Sequence, residues 1–161
     1  MNNFEFKHNG ESLWYSRAVA VVGLILAHDY IWDWYVLANK RGKNTPDFQG
    51  YWSLPCGYLD FNETCEEAII REIFEETGLK IQKDRYLDLI GVDSIPVGKQ
   101  NVTIRFKCNM MEDITALKLT NKNADDGEVD EAKWINLRDV KSFRWAFNHL
   151  ELISTYWESD L

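Results

Sequence analysis

The segment 62–79 (NETCEEAIIREIFEETGL) limits the folds open to this chain more than any other. Thr64 followed by Glu67 forms a capping-box pattern, Ile69/Ile73 and Ile70/Phe74 recur at i, i+4, and Gly78 stands where a helix-ending glycine belongs. The pattern predicts an amphipathic helix that begins after Asn62, ends at Gly78 and must bury one face. At about 100° per residue, Glu75 falls about 60° to one side of Glu72 and Glu76 about 40° to the other. Three carboxylates thus share one arc. Ionised and unpaired they repel one another, and a hard divalent cation, which prefers oxygen ligands, relieves that repulsion. An acidic helix face by itself is ordinarily just solvated, so the flanking residues must decide.

Arg17 to Leu26 (RAVAVVGLIL) predicts a buried strand, and Trp34 to Asn39 predicts a second, joined through a turn at His28-Asp29-Tyr30. Lys40 to Gly50 carries two glycines and a proline and predicts a loop. Beyond the helix, Tyr86 to Val92 is a candidate strand, and Val102, Ile104, Phe106 and Cys108 alternate with polar residues as a half-buried strand does. An acidic loop at Asn121 to Asp130 precedes a short strand around Ala132 to Ile135. Phe143, Phe147, Leu150, Ile153 and Trp157 have helical spacing, which predicts a closing helix over about 140–157. The order β-β-α-β-β-β-α, with no repeat and no linker-like shift in composition, fits one domain over 1–161 of the α+β or α/β class. Its expected architecture is a mixed sheet between helices, an α/β/α sandwich.

The 161 residues carry 18 Lys+Arg against 26 Asp+Glu, a net charge of −8, which argues against a nucleic-acid polymer as partner. Small phosphorylated ligands stay open, because a bound divalent metal reverses the local sign. The three cysteines, Cys56, Cys65 and Cys108, make no CxxC or zinc pattern, which favours a reducing compartment. The start of the chain lacks a signal-peptide pattern, and its longest apolar stretch, Ala18 to Ala27, is far short of the ~20 residues a membrane span needs. The expectation is a cytoplasmic protein with no membrane contact.

Residues 57–79 place Gly57, then five residues, Glu63, then seven, then Arg71-Glu72-Ile73, Glu75-Glu76 and Gly78-Leu79. This resembles the Nudix box, GX5EX7REUXEEXGU with U aliphatic, at every fixed position; chance supplies roughly one such match in ten million chains of this length. The resemblance implies a Nudix-type α/β/α sandwich and a hydrolase acting on a pyrophosphate link, with Mg²⁺ as cofactor and Mn²⁺ as a substitute. It implies that Glu72, Glu75 and Glu76 are metal ligands, together with the backbone carbonyl of Cys56, the residue just before the box glycine. Most members have Gly or Ala at that position, so the Cβ of Cys56 bears on the geometry of the loop. A reactive-thiol role for Cys56 and an inert small side chain are both open. Glu63 and Arg71 hold charged box positions; Arg71 lies four residues from both Glu67 and Glu75, so structural ion pairing and substrate contact are both open to it.

Water would attack a phosphorus of the link and pass its proton to a carboxylate. Glu72 is the candidate base, with Glu128 or Glu76 as alternatives. Glu128, six residues before Trp134, resembles a further catalytic glutamate of the family, although a solvated acidic loop explains it equally. Arg41 resembles a phosphate-meeting position, with an ordinary solvated arginine as its alternative. The favoured substrate is a nucleoside diphosphate linked to another moiety, a nucleotide sugar or ADP-ribose. Pro96, 17 residues after Leu79, lies near a proline of ADP-ribose-type members, and a turn accounts for it equally well. A hydrolase that removes damaged nucleoside triphosphates and a sensing module that binds without turnover are the alternatives, and a homodimer is left open. Trp52, Trp134 and Trp157 read as core, and His8, His28 and His149 have no catalytic context.

Overall fold

The computed structural model describes residues 3–82, 87–96, 101–120 and 127–158. Two strands, β1 (Phe4–His8) and β2 (Glu11–Tyr15), form an antiparallel hairpin of their own. A mixed sheet is built from β3 (Val19–His28), β4 (Trp34–Arg41), β5 (Trp52–Ser53), β6 (Cys56–Tyr58), β7 (Asp88–Asp93), β8 (Val102–Asp113) and β9 (Val129–Asn136). Only β3 and β8 run parallel; the remaining pairs are antiparallel. Helix α1 (Cys65–Thr77) follows β6, and α2 (His149–Glu158) closes the described chain.

Alternation along β3 divides the core. Val22, Leu24 and Leu26 face one side, where Trp52, Leu54, Ile135 and Leu152 and Ile153 of α2 pack. Val21, Ile25 and Ala27 face the other, against Ala68, Ile69 and Ile73 of α1 together with Phe106 and Cys108. The helices therefore lie on opposite faces of a mixed sheet, as expected. Gly23 falls on the α1 face, where a Cβ would stand 3.1 Å from Ile69, so the missing side chain lets Ile69 of the helix approach the strand closely.

The site is positioned by a fork. β3 pairs with β4 only over Leu26–His28, and at its other end, on Ala20–Val22, with β6. β4 has by then diverged and pairs Asn39 and Lys40 with β5. The connection between β5 and β6, Leu54-Pro55, crosses the fork, with the Gly23 N–H donating to the Pro55 carbonyl at 2.9 Å.

Helix α1 matches its expected limits. Thr64 accepts from the Glu67 N–H, Glu67 reciprocates on the Thr64 N–H, and Gly78, at φ 71°, donates its N–H to the Phe74 carbonyl. The closing helix is shorter than its hydrophobic spacing predicts. Val140–Ser142 form a 3₁₀ turn, Trp52 donates its N–H to the Arg144 carbonyl, and Ala146 donates to the Trp52 carbonyl, which draws 144–146 alongside β5. Phe147 then sits at φ 54°, outside any right-handed helix, and α2 begins only at His149. The hairpin β1–β2 and the short strands β5 and β6 are also additions to the expected order. Tyr86, residues 121–126 of the acidic loop and the end of the Ser94–Gly98 turn lie outside the described residues. Among the described residues no helix is long and apolar enough to cross a membrane.

Candidate active site

Box residues from α1 meet the 54–58 segment beneath the fork. Arg71 organises them. Its Nε and Nη2 donate to the two oxygens of Glu63 at 3.1 and 2.8 Å, Nη1 to Glu72 at 2.7 Å and Glu75 at 3.0 Å, and Nη2 also to the Tyr58 carbonyl at 3.1 Å. All five guanidinium donors are thereby used within the chain. The Arg71 bond holds the Glu63 carboxyl below its ordinary range, and the Glu63 oxygen also caps the Asp60 N–H at 2.7 Å. Arg71 thus ties the loop after β6 to two of the three box carboxylates.

Glu76 has no such cation. Its Oε2 accepts the Cys56 N–H at 2.9 Å, and the Asn39 amide donates to it. Asn39 is itself buried and accepts from the Ser53 hydroxyl at 3.2 Å, so β4 and β5 both contribute to holding this carboxylate. Burial, followed by the negative charge of Glu72, pushes the Glu76 carboxyl well up. Burial also raises the Glu72 carboxyl, against the opposing pull of Arg71. Two under-solvated carboxylates side by side, only one of them ion-paired, mark a place where a further positive charge is favoured.

Gly57 gives that place its room: a Cβ there would lie 2.0 Å from a Glu72 oxygen, so a side chain at this position would push the Glu72 carboxylate away from the 56–57 backbone. The donor chemistry, the hard carboxylate oxygens of Glu72, Glu75 and Glu76 on one helix face, fits a divalent cation. Among the described residues no three acidic, histidine or cysteine groups stand ready as a metal cluster. The reason is visible in the bonds above: Arg71 draws Glu72 and Glu75 to itself, and Glu76 is turned to the Cys56 N–H.

The Cys56 side chain packs against the α2-side core, and burial together with the charge of Glu76 pushes its thiol well up. A packed thiol raised in this way fits the inert small side chain of the two readings. Arg41 is buried, with Nε on the Asp47 carbonyl and Nη2 on the Asp47 carboxylate, both at 3.1 Å, and its guanidinium lies 5.1 Å from the centre of the Phe147 ring. Its charge nonetheless reaches Glu76, Cys56 and His149. Glu128 stands beside the end of β4, where its carbonyl accepts the Gly42 N–H at 2.7 Å; its side chain is exposed and makes no bond to the box glutamates among the described residues.

Two residues of the site carry no motif. Asn39 shows itself only as a polar residue in an apolar strand. His149 is buried, and its Nδ1 accepts the Leu54 N–H at 3.0 Å, which places its proton on Nε2 and pins the backbone two residues before Cys56. Burial, helped by the charge of Arg41, lowers its pKa to about 3.

The NUDIX domain family model matches residues 14–156. An ADP-ribose pyrophosphatase of Methanocaldococcus jannaschii is 37% identical over 89% of this chain and 75% of its own length. An RNA pyrophosphohydrolase of Shewanella denitrificans is 26% identical over 78% of this chain and 77% of its own length. Among solved structures, the NUDIX domain of Shewanella oneidensis NrtR, complexed with ADP ribose, superposes with a TM-score of 0.74 at 22% identity, covering 91% of this chain and 90% of that one, a likeness of fold. The box on α1, the family model over most of the chain and a well-covered relative agree: this chain belongs to the NUDIX family and is a Nudix hydrolase.

Proposed function

We propose that the chain hydrolyses the pyrophosphate bond of a nucleoside diphosphate linked to another moiety, of the ADP-ribose or nucleotide-sugar type. The observation that carries this reading is the pair of half-buried carboxylates Glu72 and Glu76 meeting the Cys56–Gly57 backbone, both raised by desolvation, since a pyrophosphate brings its own negative charge and needs a cation between. The archaeal ADP-ribose pyrophosphatase at 37% identity supports this substrate class. Nudix hydrolases generally use divalent metals, and Mg²⁺, with Mn²⁺ as a substitute, is the ion assigned here. Glu72, Glu75, Glu76 and the Cys56 carbonyl are the groups assigned to hold it. When bound, such an ion neutralises charge on the phosphates and acidifies the attacking water.

The chain's own residues supply the remainder. Glu76 is oriented beside Glu72 by the Cys56 N–H and Asn39, and a bound cation would take over the place of the Cys56 N–H on its carboxylate. Glu72, whose carboxyl is raised by burial, is the group to which the proton of the attacking water is assigned. Arg71 is assigned a positioning role, because its donors are all engaged within the chain. Glu128 is kept as the alternative catalytic glutamate, and Arg41, whose charge reaches Glu76, is assigned to substrate binding.

The test is a Mg²⁺-dependent turnover screen of ADP-ribose, nucleotide sugars, dinucleotides and nucleoside triphosphates, with product identification and Glu76→Gln as control. A nucleoside monophosphate with a phosphorylated partner is the expected product pair. Monophosphate with inorganic pyrophosphate would instead show a triphosphate hydrolase, and nucleotide binding without turnover would show a sensing module.

A further inference from the structure

The α2 face of the sheet holds a cavity that the catalytic residues do not enter. It has a volume of about 680 Å³ and opens among Trp32, Trp34 and Trp157, with Asp33, Lys107 and Arg138 also in its wall. That size lies within the range of small-molecule sites. On β3 the cavity touches Leu26, whereas the fork is built on Ala20–Val22, roughly 13 Å back along the strand. None of the box residues, nor Arg41 or Glu128, lines it.

Its aromatic wall is held open by a strained turn. Trp32 sits between β3 and β4 at φ 65°, a backbone that bulky side chains rarely adopt, and keeps 69% of its surface in solvent. The Trp32 N–H donates to the Asp29 carbonyl at 3.0 Å, and Asp29 Oδ1 accepts the Ile31 and Asp33 N–H groups at 3.0 and 2.9 Å. His28 stacks on the Trp32 ring, 4.1 Å between centres at 22°, and meets Trp34 edge-on at 5.5 Å. Trp34 lies 6.2 Å from Trp157 of α2. Burial does not account for Trp32, because the turn is strained to hold an indole that stays mostly exposed. Such outliers persist where the surroundings over-determine them, and they gather at ligand sites.

The polar wall narrows the ligand. Lys107 and Arg138 against Asp33 leave the cavity net positive on a chain whose net charge is −8. Arg138 pairs with Asp33 through Nη2, yet its side chain remains 78% exposed, so the rest of its fork is open to an anion. Asn109 and Asn136 add side-chain amides, groups that both donate and accept. A sugar phosphate would leave the indoles uncovered, and a neutral aromatic would leave the cations unused.

We infer that this cavity is a second binding site, separate from the catalytic cleft, for a nucleoside monophosphate. The base lies on the open indole of Trp32 and the phosphate on Arg138 and Lys107. Stacking of this kind tolerates any base, since every base has a π-face. The assignment stands on the cavity's own residues and goes beyond the choice of substrate at the cleft.

The chain carries its own reporters. Trp32, Trp34 and Trp157 line the cavity, while Trp52 and Trp145 bridge β5 to the segment before α2, on the side of the fork. Indole N–H resonances of isotope-labelled protein are followed during titration with AMP in Mg²⁺-free buffer. AMP is expected to shift the Trp32, Trp34 and Trp157 signals. Trp32→Gly, which suits a positive φ, is expected to fold with a Tm near the parent's and to weaken AMP binding about 5-fold or more. Arg138→Gln is expected to weaken AMP binding and to leave that of adenosine unchanged, and ribose 5-phosphate is expected to bind the parent less tightly than AMP does. Turnover of ADP-ribose by both variants is expected to match the parent's. A parent that binds no AMP, shifts confined to Trp52 and Trp145, or equal AMP affinity in Trp32→Gly and the parent overturns the site. A raised KM for ADP-ribose in both variants would merge the cavity with the cleft and overturn it as well. Because the AMP titration needs no turnover, a parent that binds AMP here but hydrolyses no nucleotide would refute the proposed hydrolysis and leave this site standing.

Discussion

His149 lends itself to a quantitative test, because its structural duty and its titration can be separated. Its Nδ1 accepts the Leu54 N–H in a buried setting, so the folded protein requires the neutral ring and its pKa falls to about 3 from an unfolded value of 6.5. The unfolded chain therefore binds the extra proton first. Between pH 6.5 and about 3 it is favoured progressively as pH falls, so stability is intact above that window and is lost on acidification through it. At 1.36 kcal/mol per pH unit, the loss at pH 4 is about 3 kcal/mol. His149→Asn keeps an acceptor able to reach the Leu54 N–H and removes the titration. Urea unfolding of both proteins, followed by tryptophan fluorescence at pH 7 and pH 4, gives the comparison. At pH 7 the variant is expected to be the weaker by about 1–3 kcal/mol, from lost ring packing. At pH 4 that deficit is expected to shrink by about 3 kcal/mol or to change sign. Glu72 and Glu76, whose raised carboxyls act in the opposite sense, are common to both proteins and cancel. Parallel pH dependence in parent and variant would refute the buried neutral histidine.

The remaining perturbations act on the glutamate cradle. Glu75→Gln and Glu76→Gln are each expected to lower turnover by about 10²-fold or more while thermal melts show an intact fold; parent-like rates in either would remove it from the metal set. Gly57→Ala places a methyl 2.0 Å from a Glu72 oxygen, so the flexible end of Glu72 must move aside; turnover is expected to fall while the urea-unfolding midpoint stays near the parent's. Cys56→Gly is expected to retain activity, and the parent's Cys56 thiol, pushed up by burial, is expected to resist alkylation at pH 7; rapid labelling with loss of activity would restore a reactive-thiol role.

What the sequence disclosed follows the range of the forces involved. Helix α1 is written locally: its cap, its i, i+4 pairs and Gly78 act within a few residues, and the structure keeps all of them. The hairpin β1–β2 also had a local signal that the strand patterns overshadowed, since Asn9 and Gly10 both hold positive φ in a two-residue turn between strands. The start of α2 was not legible, because helical spacing runs through Phe143 and Phe147 while the backbone there is bonded to Trp52, far away in sequence. The same holds at the site. Box spacing identifies Glu72, Glu75 and Glu76, but the residues that hold Glu76, the Cys56 N–H and Asn39, become its neighbours only when β4 and β6 separate at the fork.

That separation divides the acid of one helix turn into two kinds. Glu72 and Glu75 share a cation with Glu63, and the Arg71 fork orders all three without metal. Glu76 accepts its hydrogen bonds from neutral donors, half-buried beside the charge of Glu72, with Arg41 acting on it only at a distance. A hard cation entering the cradle must compete with Arg71 for Glu72 and Glu75, but at Glu76 it meets a carboxylate whose charge nothing on its own helix offsets. Neutral hydrogen bonds orient a carboxylate without neutralising it, so the cost of its burial is relieved most by an incoming positive charge. The chain thus keeps an ordered pair that can be shared and a half-buried partner waiting for charge. It does so by placing a single arginine where its fork reaches one side of the helix and not the other.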